Sequence, residues 1–193
     1  MPRKKAKTKR SRKSHTPARK VKPELGLIFW GALFIFIFAG YRVYSLRILS
    51  FGTPTVSVVA TGPSPVKIEI PKVSLNLPII ETTVSDGTWE ISPDGASHWD
   101  NSTNPGQNGN IVIYGHNKTN LFGPIRWLNL GEEIIVTDAD GGKHLYTITQ
   151  TATVSPDQVD FILPKDEETL TLYTCTGLFD SQRYIVIAKP KQG

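Results

Sequence analysis

The chain has 193 residues, of which 39% are hydrophobic and 20% are charged, enough for one globular domain with a packed core. Eleven of its 22 Lys and Arg residues lie within residues 1–22, which hold no acid, whereas nine basic and sixteen acidic residues follow from Ile48 onward. This asymmetry excludes a uniformly basic nucleic-acid-binding protein and indicates that the two ends of the chain face different environments.

An apolar segment follows the basic tail. Residues 25–41 carry no charge, and a helix of that length spans about 25 Å, close to the bilayer hydrocarbon core of about 30 Å. The basic run before it places the N-terminus in the cytoplasm and the C-terminal domain outside, by the positive-inside rule. A cleaved signal peptide fits less well, because the apolar stretch exceeds an h-region of about 7–15 residues. We predict a cytoplasmic tail (1–24), a single transmembrane signal-anchor helix (25–44) and a linker (45–65).

The rest of the chain, residues 66–193, is dominated by period-two alternation separated by Gly, Pro and Asn turns. This pattern predicts an all-β domain, either a barrel or a sandwich. Asp140-Gly141-Gly142 indicates a hairpin, and residues 122–128 a short helical turn. The predicted strands are Val66–Ile70, Leu77–Ile80, Asn110–Tyr114, Glu133–Thr137, Leu145–Gln150, Leu170–Cys175 and Tyr184–Ala188.

The only cysteine, Cys175, ends one of these strands. Alternation puts Thr171, Tyr173 and Cys175 on one face of the strand and Thr174 on the other. A thiol at a strand end beside a loop suits a nucleophile held on a rigid scaffold. Free cysteine is also among the most commonly buried residues, so a core thiol is the alternative.

Four histidines are candidates for a partner of that thiol. His15 lies in the predicted cytoplasmic tail, His98 in a predicted loop, and His144 at the start of a predicted strand. His116 follows a buried strand and Gly115, which we expect to let the backbone turn sharply and present the imidazole. A nucleophilic thiol needs such an acid–base partner, although the residues alone leave a plain loop histidine equally open.

Three motifs, in their order and spacing, resemble the sortase family over about 125 residues. The strand ending at Cys175 is similar to the signature Thr-Leu-x-Thr-Cys, His116 to the Gly-His that follows a hydrophobic strand, and Arg183 to the arginine that opens the last strand. Residues 68–72 and 128–136 resemble two further conserved segments of that family. The resemblance implies a closed β-barrel of about eight strands with short helical turns, preceded by one transmembrane helix.

The same resemblance implies a membrane-anchored cysteine transpeptidase. Cys175 would attack a sorting motif such as Leu-Pro-x-Thr-Gly, His116 would act as acid and base, and Arg183 would stabilise the oxyanion. The acyl fragment would then be joined to a cell-surface amine, so the implied partners are motif-bearing surface proteins, a cell-wall amine and the membrane, without nucleic acid. Thr174 and Asn117 are candidate substrate-binding residues, and Asn117 stands where many relatives have arginine.

No metal or cofactor is expected. Some sortases bind calcium near the connection that precedes the catalytic strand, but a solvated acidic loop is the favoured interpretation of its carboxylates here. These carboxylates belong to Asp157, Asp160, Asp166, Glu167 and Glu168.

Two other functions compete with this interpretation. Other cysteine peptidases of the cell envelope place their cysteine before the histidine, or a histidine next to the cysteine in the sequence. In this chain His116 comes 59 residues before Cys175, and no histidine is a sequence neighbour of the cysteine. A membrane-tethered, non-catalytic β-domain acting as an adhesin or receptor would not need Cys175, His116 and Arg183 together. The absence of a long insertion before the catalytic strand resembles the compact class D and E sortases.

Overall fold

The computed structural model describes residues 23–47, 58–85 and 87–191. Its first element is helix α1, Pro23–Arg47, which begins at a proline, a residue that suits the first turn of a helix. The side chains of residues 27–42 are exposed. Among the described residues, no helix is both long and apolar enough to cross a membrane. The transmembrane anchor therefore stays a prediction, and the basic tail lies outside the described residues.

Eight strands close into a barrel, which confirms the predicted fold class. Two additional short strands form a separate two-stranded sheet, and short 3₁₀ helices occupy residues 71–73, 123–127, 159–161 and 178–180. The turn predicted over residues 122–128 is therefore confirmed. In chain order the strands are β1 (Pro65–Ile70), β2 (Leu75–Thr82), β3 (Val84–Ser85), β4 (Thr88–Trp89), β5 (Ala96–Trp99), β6 (Asn110–Gly115), β7 (Glu133–Asp138), β8 (Lys143–Val154), β9 (Thr169–Thr176) and β10 (Gln182–Pro190).

The barrel order is β1-β2-β5-β6-β9-β10-β8-β7, with β7 closing onto β1. Two pairs, β2 with β5 and β6 with β9, are parallel, and the others are antiparallel. Because β6 and β9 run in the same direction, their C-terminal ends lie at the same edge of the barrel. The start of β10 returns to that edge, since β10 runs antiparallel to β9.

Alternating residues of β6 and β9 are buried on both faces. One face contributes to the interior cluster, the core enclosed by the barrel, which includes Ile111, Ile113, Leu170 and Leu172. The opposite face contributes to a second core, the outer cluster. The outer cluster consists of Trp89, Trp99, Val112, Tyr114, Val154, Ile162, Tyr173, Cys175 and Ile185.

The prediction that His98 lies in a loop is wrong. His98 belongs to β5, is 1% exposed, and its Nε2 lies 3.1 Å from the Ser102 hydroxyl and 3.3 Å from the Thr103 carbonyl oxygen. All four residues of β5 are buried, so the strand has no alternation to reveal it. The strand follows Gly95, where a Cβ would come within 2.6 Å of the Pro78 carbonyl oxygen.

The buried His98 predicts a loss of stability in acid. Burial lowers the pKa of His98 to about 4, only partly opposed by its backbone hydrogen bond to Thr103. Histidine in the unfolded chain has a pKa of about 6.5, so between about pH 4 and pH 6.5 the unfolded state binds a proton that native His98 does not bind. This contribution to stability is therefore complete above about pH 6.5, falls progressively as the pH drops from about 6.5 to about 4, and is fully lost below that.

We expect the free energy of unfolding of the wild type to fall by about 2 kcal/mol more than that of His98→Gln between about pH 7 and pH 4.5. Urea unfolding of both proteins at the two pH values measures the difference. Equal losses would show that His98 does not titrate in this way.

Candidate active site

The thiol of Cys175 lies on the outer face of β9, one residue before the end of the strand. The side chain is 1% exposed. Burial raises the pKa of Cys175 to about 12, with the charge of Arg183 opposing the rise and that of Asp180 adding to it. Arg183 is therefore the group that favours the thiolate within this site.

Arg183 is the direct cross-strand partner of Cys175, in the antiparallel pair of β9 and β10. Residues opposite each other in such a pair share one face, with Cβ atoms about 4.5–5.5 Å apart. Arg183 is 2% exposed, and its Nη1 donates to the carbonyl oxygens of Asp180 and Gln182, each at 2.9 Å. The backbone carbonyl groups of Asp180 and Gln182 thus hold a buried cation on the strand next to the thiol.

His116 reaches the same edge from β6. In the parallel register Gly115 lies opposite Thr174, so His116 and Cys175 are the next residues along their neighbouring strands. His116 is partly buried, and its pKa is lowered by burial and by Lys118, while Asp180 raises it. Both His116 and Cys175 are therefore neutral in their resting form near neutral pH.

The reason expected for Gly115 is wrong. Gly115 is the last residue of β6 and does not adopt a positive φ. A Cβ there would lie 3.1 Å from the Phe122 ring, a tight contact, so glycine lets Phe122 pack closely against the strand end. Gly115 thus serves close packing, and the chain turns one residue later, where the Lys118 N–H donates to the His116 carbonyl oxygen at 2.8 Å.

The β9–β10 loop, residues 177–181, brings a further charged group to the site. Phe179 and Asp180 both have positive φ angles, of 53° and 57°, a conformation that is costly for residues other than glycine. The Asp180 carboxylate lies 3.5 Å from Asn117 Nδ2, and its charge raises the pKa of both Cys175 and His116. Sequence reasoning missed Asp180, because only the folded loop turns it back toward His116.

A thiol, an imidazole and a fixed guanidinium at one strand edge are the groups required for nucleophilic acyl transfer. In acyl transfer by such groups, the thiol gives its proton to the imidazole and becomes the nucleophile. A guanidinium beside them can stabilise the negative charge that develops on an attacked carbonyl oxygen.

Comparison with known proteins agrees with this geometry. The family model for the sortase domain matches residues 68–191. The chain is 34% identical over 134 residues to Sortase D of Bacillus subtilis (strain 168), covering 67% of this chain and 65% of that protein. It is 30% identical over 124 residues to Sortase A of Bacillus anthracis, covering 62% and 56%. The structure of Sortase A from Corynebacterium diphtheriae superposes with a TM-score of 0.58 at 27% identity, covering 69% and 63%.

The chain belongs to the sortase family. The match extends over the barrel from β1 to the residue after β10, and it spans less than two thirds of the length of the two curated relatives. The resemblance inferred from the motifs is confirmed. The assignment to class D or E stays a prediction, since relatives named D and A both match.

The two candidate substrate-binding residues of this sortase lie in different surroundings. Thr174 is fully buried, and its hydroxyl donates to the Gly115 carbonyl oxygen at 2.8 Å, which joins the ends of β6 and β9. Asn117 follows His116 and lies beside Asp180. Their contact with substrate stays a prediction, but the structure gives Thr174 a supporting role in the register of β6 and β9.

Two of the carboxylates before β9, those of Glu167 and Glu168, have partners within the protein. Glu168 Oε1 accepts hydrogen bonds from the Gly106 backbone N–H and the Tyr146 hydroxyl, and Glu167 pairs with Lys189 at 3.4 Å. Among the described residues, no three His, Cys, Asp or Glu side chains lie close enough together to hold a metal ion.

The opposed charges around Cys175 predict the effect of neutralising Asp180. Asparagine tolerates the positive φ of this position as well as aspartate does, so Asp180→Asn keeps the loop. Removing the negative charge lowers the pKa of Cys175, and we expect alkylation by iodoacetamide at about pH 9 to become about threefold faster. Because Cys175 is the only cysteine, mass spectrometry of the protein measures the rate directly.

Glu133→Gln on β7, away from the catalytic strands, is the matched control and should alkylate at the wild-type rate. The pH dependence of alkylation should shift toward acid in Asp180→Asn and toward base in Arg183→Gln. A shift in the same direction for both variants would contradict this account of the site.

Proposed function

We propose that this sortase is a membrane-anchored cysteine transpeptidase that cleaves a Leu-Pro-x-Thr-Gly-like sorting motif and joins the acyl fragment to a cell-surface amine. One observation supports it above the rest. The parallel register of β6 with β9 and the antiparallel register of β9 with β10 bring His116, Cys175 and Arg183 to one edge. A non-catalytic β-domain would not require that convergence.

In the first half-reaction, the thiol of Cys175 gives its proton to His116 and the thiolate attacks the carbonyl carbon of the motif threonine. The negative charge that forms on the carbonyl oxygen is stabilised by Arg183. Collapse of the tetrahedral intermediate breaks the Thr–Gly amide bond, and the leaving amine takes the proton from His116. The product is a thioester on Cys175 and a free glycine amine.

In the second half-reaction, an acceptor amine attacks the thioester and loses a proton to His116. The carbon–sulfur bond breaks, and the thiolate of Cys175 recovers that proton. A new amide bond replaces the one that was cleaved, so no external energy source is needed. Water in place of the amine gives hydrolysis.

The test uses the full chain in detergent with a fluorescent Leu-Pro-x-Thr-Gly peptide. Wild type should form a mass adduct that hydroxylamine releases, whereas Cys175→Ala should form none, because alanine cannot make a thioester. Arg183→Ala should lose about 10²–10³ in turnover, and Arg183→Lys should recover only a small part, since lysine lacks the planar fork of donors.

Circular dichroism of each variant controls for folding. A folded Cys175→Ala protein that still cleaves the peptide would overturn the assignment of the nucleophile. A folded Arg183→Ala protein within about threefold of wild type in kcat/KM would remove Arg183 from the site.

We also propose that helix α1 anchors this sortase in the membrane with the catalytic domain outside the cell. The support is the basic run of residues 1–22, which precedes the helix, and the exposed apolar side chains from Leu27 to Tyr41. Such a surface is stable in hydrocarbon and unfavourable in water.

Protease added to intact cells should digest the C-terminal domain and leave the N-terminal tail protected. The double variant Ile35→Lys with Phe36→Lys should move the protein out of the membrane fraction, since each lysine costs about 3 kcal/mol at the centre of a helix in a bilayer. Leu130→Lys, at a residue of the barrel domain that is 64% exposed, is the matched control and should stay in the membrane fraction. Full protection of the C-terminal domain would contradict the proposed topology.

A further inference from the structure

We propose that the groove leading to His116 binds the acceptor amine and selects acceptors that carry a second positive charge. The inference rests on the proposed transpeptidase function and names the substrate class of its second half-reaction. The β2–β4 groove is defined by the end of β2 and the segment that follows β4. Its lining includes Ile80, Glu81, Trp89, Glu90, Ile91 and His116.

The β2–β4 groove has a volume of about 580 Å³, enough for a dipeptide-sized group. It touches the site only through the imidazole, because His116 lines it and Cys175 and Arg183 do not. A reactant lying in this groove therefore meets the proton-transfer group first. In sortase chemistry, the reactants that exchange a proton with His116 are the leaving amine and the incoming amine, whereas the acyl carbonyl must lie against Cys175 and Arg183.

The charge of the groove agrees with a cationic occupant. Glu81 and Glu90 both line it and are exposed, and neither forms an ion pair with any residue that the structure describes. The described lining residues include no lysine or arginine. Burial is the main cause that raises the pKa of Asp100, and the negative charge of Glu90 raises it further. Unpaired carboxylates beside low-polarity walls attract cations and raise their local concentration.

The backbone position of Glu90 is fixed by the core of the site. Its N–H donates to the Thr83 carbonyl oxygen at 3.2 Å, and its carbonyl oxygen accepts from the Tyr114 hydroxyl at 2.5 Å. Tyr114 stacks on Tyr173, two residues before Cys175, with ring centroids 4.9 Å apart. Glu90 is therefore held at a constant place relative to the catalytic strands, as a specificity-determining side chain should be.

The reaction step follows from these positions. An acceptor arrives as an ammonium ion, and its attacking group first releases one proton to solvent, so that a neutral amine adds to the thioester. A second ammonium group stays charged throughout and remains near Glu81 and Glu90. The carbon–sulfur bond breaks as the carbon–nitrogen bond forms, and the amine proton passes through His116 to the thiolate.

A competition experiment tests the selectivity. Full-length protein in detergent is incubated with a Leu-Pro-x-Thr-Gly peptide and equal amounts of glycyl-lysine amide and glycyl-norleucine amide. Both acceptors present the same attacking glycine amine, and only the first has a second charge. Mass spectrometry gives the ratio of the two products, which is independent of the amount of folded enzyme.

We expect wild type to favour the lysine acceptor about fivefold, the effect of one opposite charge at about 4 Å in water. Glu81→Gln with Glu90→Gln should reduce the ratio below about twofold, and about 1 M salt should do the same to wild type. Each single substitution should give an intermediate ratio. Glu133→Gln, an exposed carboxylate on β7, should leave the wild-type ratio unchanged.

Each outcome decides the matter. Transpeptidation with equal use of both acceptors, or a double variant that keeps the wild-type ratio, overturns the inference and leaves the proposed function standing. Failure of wild type to form any acyl-enzyme overturns the proposed function, and this inference fails with it.

Discussion

The parallel pairing of β6 with β9 is the constraint on which the candidate active site depends. It places two strand ends side by side, and the register that sets Gly115 against Thr174 makes His116 and Cys175 the next residues on each strand. The hydrogen bond from the Thr174 hydroxyl to the Gly115 carbonyl oxygen fixes that register one residue before His116 and Cys175. A slip of one residue would turn Cys175 toward the barrel interior, because side chains alternate between faces.

The electrostatics of the site are a balance among groups on three segments. Burial alone would make the thiolate of Cys175 very unfavourable, and Arg183 opposes that effect from the adjacent strand. Asp180 acts in the other direction on the thiol, while favouring the charged form of His116. The same residue fixes Arg183 through its carbonyl oxygen, so the strained loop sets both the position and the balance of these charges.

Much of the barrel could be predicted from the sequence, because seven of its strands alternate or form apolar runs between turn residues. β5 could not, since its four buried residues carry no period and the strand depends on the close approach of Gly95 to Pro78. Alternation along β9 correctly separated the faces of Cys175 and Thr174. The residues alone left open whether Cys175 is a core thiol or a nucleophile and whether His116 is a plain loop residue. The resemblance to the sortase family favoured the catalytic role for both. Asp180 was missed because its place depends on two consecutive positive φ angles.

The outer cluster explains how a barrel can present a site on its outer surface and still hold it rigidly. Trp89 packs edge-on against both Tyr114 and Tyr173, at 5.3 Å and 5.9 Å between centroids, and the two tyrosines stack. Aromatic contacts of this kind have defined geometry, so they fix the relative positions of the segments that carry them. Tyr114 belongs to the strand before His116, Tyr173 to the strand of Cys175, and Trp89 to the wall of the β2–β4 groove. One aromatic base therefore supports the segments that carry the proposed nucleophile, the proposed acid–base group and the wall of the proposed acceptor groove, and it holds these three segments in fixed positions relative to one another.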